Sequence, residues 1–154
     1  MDFKKTSINL KLSIYITYIL CLFVSVSSSA QETKSVLYVI GNNTDIDSIK
    51  LSKLQTIFLG EEALWPNKEG IEIVLPSSNT NFAELVSRKI FNSSVMGMKR
   101  YWLGLVFQGR ANPPKFLESA QDIINYVSKH KGSIAVVQCD KKIIPSELYI
   151  KLLD

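Results

Sequence analysis

A polar loop between an apolar run and a predicted helix carries the residues of this sequence best suited to hold an anion. It consists of Ser77, Ser78, Asn79, Thr80 and Asn81. Their hydroxyls and amides can donate hydrogen bonds. A loop that enters a helix also presents unpaired backbone N–H groups at the positive end of the helix dipole. We therefore predict an oxyanion site on this 77–81 loop, with a helix cap in a solvated loop as the competing interpretation.

A second polar segment, Asn42-Asn43-Thr44, follows the apolar run at residues 36–40. In a parallel sheet the strands ahead of this segment and of the 77–81 loop end at the same edge. Ligands bind at that edge in open α/β folds, so the segment is a second candidate for the site. An ordinary polar turn is the alternative interpretation.

Side chains that commonly support catalysis are few and scattered. His130 is the single histidine, and it falls at the end of a predicted helix, where the dipole stabilises a surface imidazolium. Cys139 follows a buried run, and without a second histidine to activate the thiol we interpret it as a small packed residue. Glu61 and Glu62 are interpreted as solvated loop residues. The sequence predicts no catalytic residue, no metal site and no cofactor, and it does not favour an enzyme.

Hydrophobic periodicity predicts the elements that position these residues. Short continuous apolar runs are typical of buried strands, and apolar residues three and four positions apart are typical of helices with one buried face. Strands are predicted at residues 36–40, 71–75 and 133–137, with an edge strand at 141–144. Helices are predicted from a capping box at Ser52 to Gly60, from about Asn81 to Ile90, over 95–107, from an N-cap at Ser119 to Gly132, and over 145–153.

This order of elements predicts an α/β domain. Helices between strands favour parallel pairing through crossovers, so we expect a small, mostly parallel sheet of three or four strands with helices on both faces. On the 95–107 helix, Met98, Trp102, Leu105 and Val106 share a stripe that is expected to face the sheet.

Residues 1–30 have the three parts of a cleavable signal peptide. Lys4 and Lys5 precede an apolar stretch at 12–26, and small residues end the segment at Ala30. The apolar stretch is shorter than the roughly 20 residues that span a bilayer as a helix. We predict cleavage at Ala30-Gln31, a single domain over 31–154 that does not span the membrane, and a periplasmic or secreted location.

The charge balance does not indicate a nucleic-acid partner. The full chain carries 18 basic and 14 acidic residues, of which three basic and one acidic residue lie in the predicted signal peptide. No lysine or arginine stripe with interleaved aromatic residues marks the mature chain. Arg88, Lys99, Arg100 and Arg110 are interpreted as a solubilising basic rim.

Several segments, in their order along the chain, resemble the family of phosphate transporter substrate-binding proteins. They cover roughly residues 36–138, and no single one of them is specific. The segments are Leu54-Gln55-Thr56-Ile57-Phe58-Leu59-Gly60, Trp65, the run 70–75, Phe82 after a polar loop, Tyr101-Trp102, Phe107-Gln108-Gly109-Arg110, Pro113-Pro114, and Val127 with the run 131–137.

The resemblance implies the fold of one lobe of a type 2 periplasmic binding protein. It also implies phosphate or a related oxyanion as ligand, bound at the 77–81 loop, and a transporter or sensor as partner. The chain departs from the family in having material for one lobe only, and its loop lacks the family's glycine and nearby arginine. The alternative hypothesis is a degenerate lobe that acts as a protein-interaction module in the cell envelope without a small ligand.

Overall fold

The computed structural model describes residues 36–153, which form one six-stranded sheet with four α-helices. The predicted signal peptide and its cleavage site lie outside the described residues. In chain order the elements are β1 (Leu37–Gly41), β2 (Ser48–Lys50), α1 (Leu51–Phe58), β3 (Glu72–Pro76), α2 (Ala83–Phe91), α3 (Val95–Phe107), β4 (Lys115–Leu117), α4 (Ala120–Lys129), β5 (Ser133–Gln138) and β6 (Tyr149–Leu153).

The strand order across the sheet is β2-β6-β1-β5-β3-β4. Strand β3 pairs in parallel with both β4 and β5, and β2 pairs in parallel with β6. Strand β1 is antiparallel to both of its neighbours, β5 and β6. The predicted α/β class and mostly parallel sheet are confirmed, but the sheet has six strands where three or four were expected.

The expectation that the first strand runs parallel to the other predicted strands is wrong, because β1 is antiparallel to both β5 and β6. A helical crossover makes two strands parallel only when it connects them directly, as α2 and α3 connect β3 to β4. Three further strands and all four helices lie between β1 and β5 in the chain. Strand β1 is therefore free to run against β5, and Leu37 pairs with Gln138 at one end while Gly41 pairs with Ile134 at the other.

The core lies on both faces of the sheet. Four consecutive residues of β5, Ile134 to Val137, are buried, and successive side chains of a strand point to opposite faces. Helix α4 contacts β1, β3, β4 and β5. Helix α1 contacts α2, and α2 contacts α3. No helix within residues 36–153 is long and apolar enough to cross a membrane.

Two helices match their predictions closely. Helix α3 covers the predicted span, and Met98, Trp102 and Leu105 are buried, whereas Val106 is only half-buried. Helix α4 begins after Ser119, whose hydroxyl oxygen accepts a hydrogen bond from the Asp122 amide at 3.0 Å. A serine at this position satisfies one of the free amides of the first turn.

Three local predictions are wrong, and one short strand was not predicted. Helix α1 has Lys50 rather than Ser52 at its N-cap, without a side-chain cap, because β2 leads directly into the helix. The predicted edge strand at 141–144 is a 3₁₀ turn, Lys141–Ile143. The predicted terminal helix is a second short turn, Ser146–Leu148, followed by β6, where the tertiary pairing with β1 and β2 overrides local propensity. Strand β4 was not predicted, since three residues carry too little pattern to detect.

Candidate functional site

The 77–81 loop begins where β3 ends, at the edge of the sheet where the parallel strands β4 and β5 also end. The Ser77 amide donates a hydrogen bond of 2.7 Å to the carbonyl of Leu117, which is the last residue of β4. Helix α2 starts two residues after the loop. The structure thus places the loop between a strand end and a helix start, as the sequence predicted.

Thr80 anchors the loop and does not face solvent. Its side chain is buried, and its hydroxyl lies 3.4 Å from the Leu117 carbonyl and 3.2 Å from the Glu118 carbonyl, to which it can donate. The Thr80 amide also donates to the Ser77 carbonyl at 3.0 Å. Of the five predicted residues, Thr80 therefore has a structural role in holding the 77–81 loop against the end of β4.

Several donors of the other loop residues have no hydrogen-bond acceptor within residues 36–153. The Ser77 hydroxyl oxygen is buried and has no hydrogen-bond partner among the described residues. Ser78, Asn79 and Asn81 are exposed. The backbone hydrogen bonds of residues 36–153 also leave the amides of these three residues without an acceptor.

The competing interpretation, a helix cap, does not describe this loop. The N-cap of α2 is Phe82, and no side chain caps the helix. The first turn of α2 also contains Glu84, whose carboxylate accepts a hydrogen bond from the Val95 amide at 3.1 Å and pairs with Arg88 at 2.9 Å. Because the polar side chains of the loop are not used as caps, the positive end of the α2 dipole lies next to the loop without a side-chain cap.

Lys99 brings a positive charge to the loop that sequence reasoning missed. Its ammonium nitrogen donates a hydrogen bond to Ser78 Oγ at 3.0 Å. Lys99 lies on α3, and the packing of α2 against α3 brings it to the loop across 21 positions of the sequence. The sequence shows only a basic residue on a helix, which by itself is typical of a solubilising rim. Lys99 therefore supplies a positive charge to a loop whose own sequence has no adjacent arginine.

The segment Asn42-Asn43-Thr44 lies at the opposite edge of the sheet, so its prediction as part of the same site is wrong. Because β1 runs against β5, the end of β1 meets the beginning of β5, and the Asn42 amide donates to the Ser133 carbonyl at 3.0 Å. The Asn42 side chain donates to the Val127 carbonyl near the end of α4 at 2.8 Å. The segment is a turn that ties β1 to α4.

The remaining titratable groups are explained by packing. His130 is exposed and stacks on Tyr126, with ring centroids 3.7 Å apart. The Tyr126 hydroxyl donates to Glu72 at 2.6 Å, and this hydrogen bond raises the pKa of Tyr126 to about 12. Burial raises the pKa of the Cys139 thiol, which opposes formation of a reactive thiolate. These groups lie apart from the 77–81 loop in the hydrogen-bond network.

Acidic residues near the end of α1 are engaged with neighbours. Glu62 pairs with the Lys53 ammonium at 2.5 Å. Burial, and after it the charge of Glu61, raises the pKa of the Tyr101 hydroxyl, which donates to the Leu59 carbonyl at 2.7 Å. Within residues 36–153 no group of three or more potential ligands is arranged to hold a metal ion.

Solved structures that include a phosphate transport receptor and a phosphate-binding protein share this fold. An ABC-type phosphate transport receptor from Vibrio cholerae matches 75% of this chain and 46% of its own, with 11% identity and a TM-score of 0.54. PstS from Borrelia burgdorferi matches 75% of this chain and 46% of its own, with 16% identity and a TM-score of 0.57. A high affinity periplasmic phosphate-binding protein bound with phosphate, PfluDING, matches 78% of this chain and 37% of its own, with 13% identity and a TM-score of 0.54.

These similarities establish the fold. The described chain has the α/β fold of about one lobe of a periplasmic phosphate-binding protein, as the sequence resemblance implied. The chain spans less than half the length of each of the three proteins. No protein-family model matches the chain, and no curated protein matches it.

Proposed function

We propose that this chain is an exported, non-enzymatic solute-binding protein that holds phosphate or a related oxyanion on the 77–81 loop for a transporter or sensor. The observation that carries the proposal is the Lys99 ammonium on Ser78 Oγ, beside exposed Asn79 and Asn81 and the uncapped start of α2. The fold shared with phosphate-binding proteins supports the same ligand class. A cation and free amides at a helix start form a suitable environment for an oxyanion.

The geometry also sets the expected strength of binding. Good small-molecule sites bury about 70–90% of the ligand surface, and the described chain provides one side of such a site. Solvent and salt therefore screen the attraction between Lys99 and an anion bound here. We expect the monomer to bind phosphate weakly, with dissociation constants in the millimolar range, and expect tighter binding where a second copy or a partner covers the loop.

The Lys99→Met variant tests the proposal by calorimetric titration with phosphate and with sulfate. A hydrogen bond to a charged group contributes roughly 1.5 kcal/mol or more, so the substitution should weaken binding about tenfold or more. Lys151→Met is the matched control, because Lys151 is an exposed lysine on β6, three strands away from β3. Three spacings of about 4.8 Å give a separation of about 14 Å, which exceeds the Debye length of about 10 Å at 0.1 M salt. The charge of Lys151 is therefore screened from an anion at the 77–81 loop.

The result that contradicts the proposal is the absence of heat with either anion at millimolar concentrations and low salt, across a range of protein concentrations that would reveal dimer-dependent binding. Equal affinities for Lys99→Met and Lys151→Met would also contradict it. Either result leaves the interaction-module hypothesis in place, and one observation favours that hypothesis. The Phe107 side chain at the end of α3 is 83% exposed, as an anchor for a protein partner would be.

The hydroxyls of the 77–81 loop are expected to divide into two roles. Ser78→Ala should weaken oxyanion binding and leave thermal stability unchanged, because Ser78 is exposed and the hydrogen bond of its hydroxyl is to the Lys99 ammonium. Thr80→Ala should lower the free energy of unfolding by about 1–2 kcal/mol, because it removes the hydroxyl contacts to the end of β4. Thermal melts beside the titrations check both. Equal stability losses in the two variants would show that this division of roles is wrong.

Export is tested on the product isolated from cells. We expect the mature protein to begin at Gln31 or within a residue or two of it, because the apolar stretch at 12–26 is flanked by lysines and by small residues. N-terminal sequencing of the envelope fraction measures this start. A membrane-embedded product that retains Met1 would contradict the proposed signal peptide and the proposed release from the membrane.

A further inference from the structure

An open apolar groove of about 510 Å³ runs along α3 beside β4, the edge strand of the sheet. Its apolar lining consists of Met96, Leu103, Val106, Pro113, Pro114 and Phe116, and Trp102 also contributes. Met96 is 58% exposed and Leu103 is 57% exposed, so the groove leaves large apolar side chains in contact with water. Such a surface gains free energy when an apolar group covers it.

The charge around the groove has one sign. Lys99 and Arg100 both line it, and no carboxylate does. Neither of these two cations forms an ion pair within residues 36–153, where the two ion pairs are Lys53 with Glu62 and Arg88 with Glu84. An occupant of the groove therefore fits best if it combines an apolar body with a negative charge.

Lys99 stands where the groove meets the 77–81 loop. Its ammonium nitrogen lies 5.9 Å from the centroid of the Phe116 ring, which lines the groove, and 3.0 Å from Ser78 Oγ. A single cation thus faces both the apolar surface and the hydroxyl and amide donors of the loop. One ligand can contact the two surfaces at once if its anionic head and its apolar tail are directly joined.

We propose that the ligand of this protein is a small amphiphilic anion, such as an alkyl phosphate monoester. Its head binds the 77–81 loop and Lys99, and its tail lies in the groove along α3. This inference rests on the proposed function, since the head occupies the proposed oxyanion site. The groove volume falls within the 300–1,000 Å³ of small-molecule sites, which favours a single small molecule over a protein partner.

The inference is tested by titrating the full mature chain with inorganic phosphate and with methyl, butyl, hexyl and octyl phosphate, each below its aggregation concentration. A fully buried methylene adds about 0.8 kcal/mol, which corresponds to about fourfold in affinity. Because the groove is open on one side, we expect a gain of roughly twofold to threefold for each methylene until the groove is filled. Octanol, which has the tail without the charge, should bind more weakly than octyl phosphate.

Leu103→Gln should remove most of the dependence on chain length while leaving the affinity for inorganic phosphate unchanged. Leu64→Gln is the matched control, because Leu64 is 59% exposed and does not line this groove. Both leucines are exposed, so both variants should keep the fold, and a circular dichroism melt checks this. Lys99→Met should weaken the binding of every anion in the series by a similar factor.

The outcomes separate this inference from the proposed function. If inorganic phosphate binds through Lys99 but affinity does not rise along the alkyl series, the amphiphilic ligand is wrong and the proposed oxyanion site is retained. Absence of binding by every member of the series overturns both proposals. If affinity still rises with alkyl chain length in the Leu103→Gln variant, the tail binds elsewhere and the proposed role of the groove is wrong. Binding to phosphatidylglycerol vesicles without binding of monomeric octyl phosphate overturns the small-molecule ligand in favour of a membrane surface.

Discussion

Gly132→Ala is expected to lower the free energy of unfolding by about 2–6 kcal/mol, a large fraction of the stability of a domain of this size. Gly132 has a φ of +78°, in the left-handed region that costs a side-chain-bearing residue about 1–3 kcal/mol. A Cβ at this position would also collide with the Gly70 carbonyl oxygen. Because this oxygen belongs to the backbone, it cannot move aside as the end of a flexible side chain could. The overpacking adds a similar amount, about 1–3 kcal/mol.

Three hydrogen bonds prevent Gly132 from moving away from this contact. Its amide donates to the Asn42 carbonyl at 2.7 Å, and its carbonyl accepts from the Glu72 amide at 3.1 Å. The same carbonyl accepts from the buried Trp65 indole at 2.8 Å. Any shift that relieves the clash with Gly70 weakens at least one of these bonds. The strain of an alanine therefore remains in the folded state.

Two other glycines provide controls for Gly132→Ala. Gly109 has a φ of +64° and no atom within 4 Å of the position that an alanine Cβ would occupy, so Gly109→Ala isolates the cost of the backbone conformation. Gly70→Ala has neither a positive φ nor a close neighbour and should be nearly neutral. Urea unfolding of the three variants measures the differences. A midpoint for Gly132→Ala equal to that for Gly109→Ala would show that the contact with Gly70 carries no cost.

The parts of the fold that the sequence predicted depend on local patterns. Strand β5 is a continuous apolar run that is buried on both faces. Helix α4 begins after the Ser119 cap, whose hydroxyl oxygen accepts a hydrogen bond from the Asp122 amide. Helix α3 spans the predicted residues because its buried stripe recurs at helical spacing. Each of these features is set by residues that are close together in the chain, where periodicity and capping are informative.

The parts that the sequence did not predict depend on distant contacts. The direction of β1 is set by pairing with β5 and β6, roughly a hundred residues along the chain. For the same reason Asn42 lies at the other edge of the sheet from the 77–81 loop. Lys99 reaches Ser78 only because α2 packs against α3. Local patterns predicted the loop itself, but they carry no information about the cation that the tertiary structure brings to it.

Trp102→Ala is expected to lower the free energy of unfolding by about 3–5 kcal/mol, as truncations of large buried aromatic side chains do. Trp102 is 2% exposed and lies on the buried stripe of α3 with Met98 and Leu105. A methyl group on Gly60 would stand 3.2 Å from the Trp102 ring, so the indole packs closely against the end of α1. Its removal leaves a cavity between α1 and α3 that neighbouring side chains fill only in part.

Trp102→Phe separates packing from the polar part of the indole. The Trp102 N–H is buried without a partner among the described residues, a state that costs about 1–3 kcal/mol. Phenylalanine keeps much of the apolar volume and removes this donor, so Trp102→Phe should be far more stable than Trp102→Ala. Leu103→Ala is the control on the same helix, since Leu103 is 57% exposed and its truncation should shift the melting temperature by little. If Trp102→Ala melts within a degree or two of the parent while anion binding disappears, the indole is part of a recognition surface and the assignment to the core is wrong.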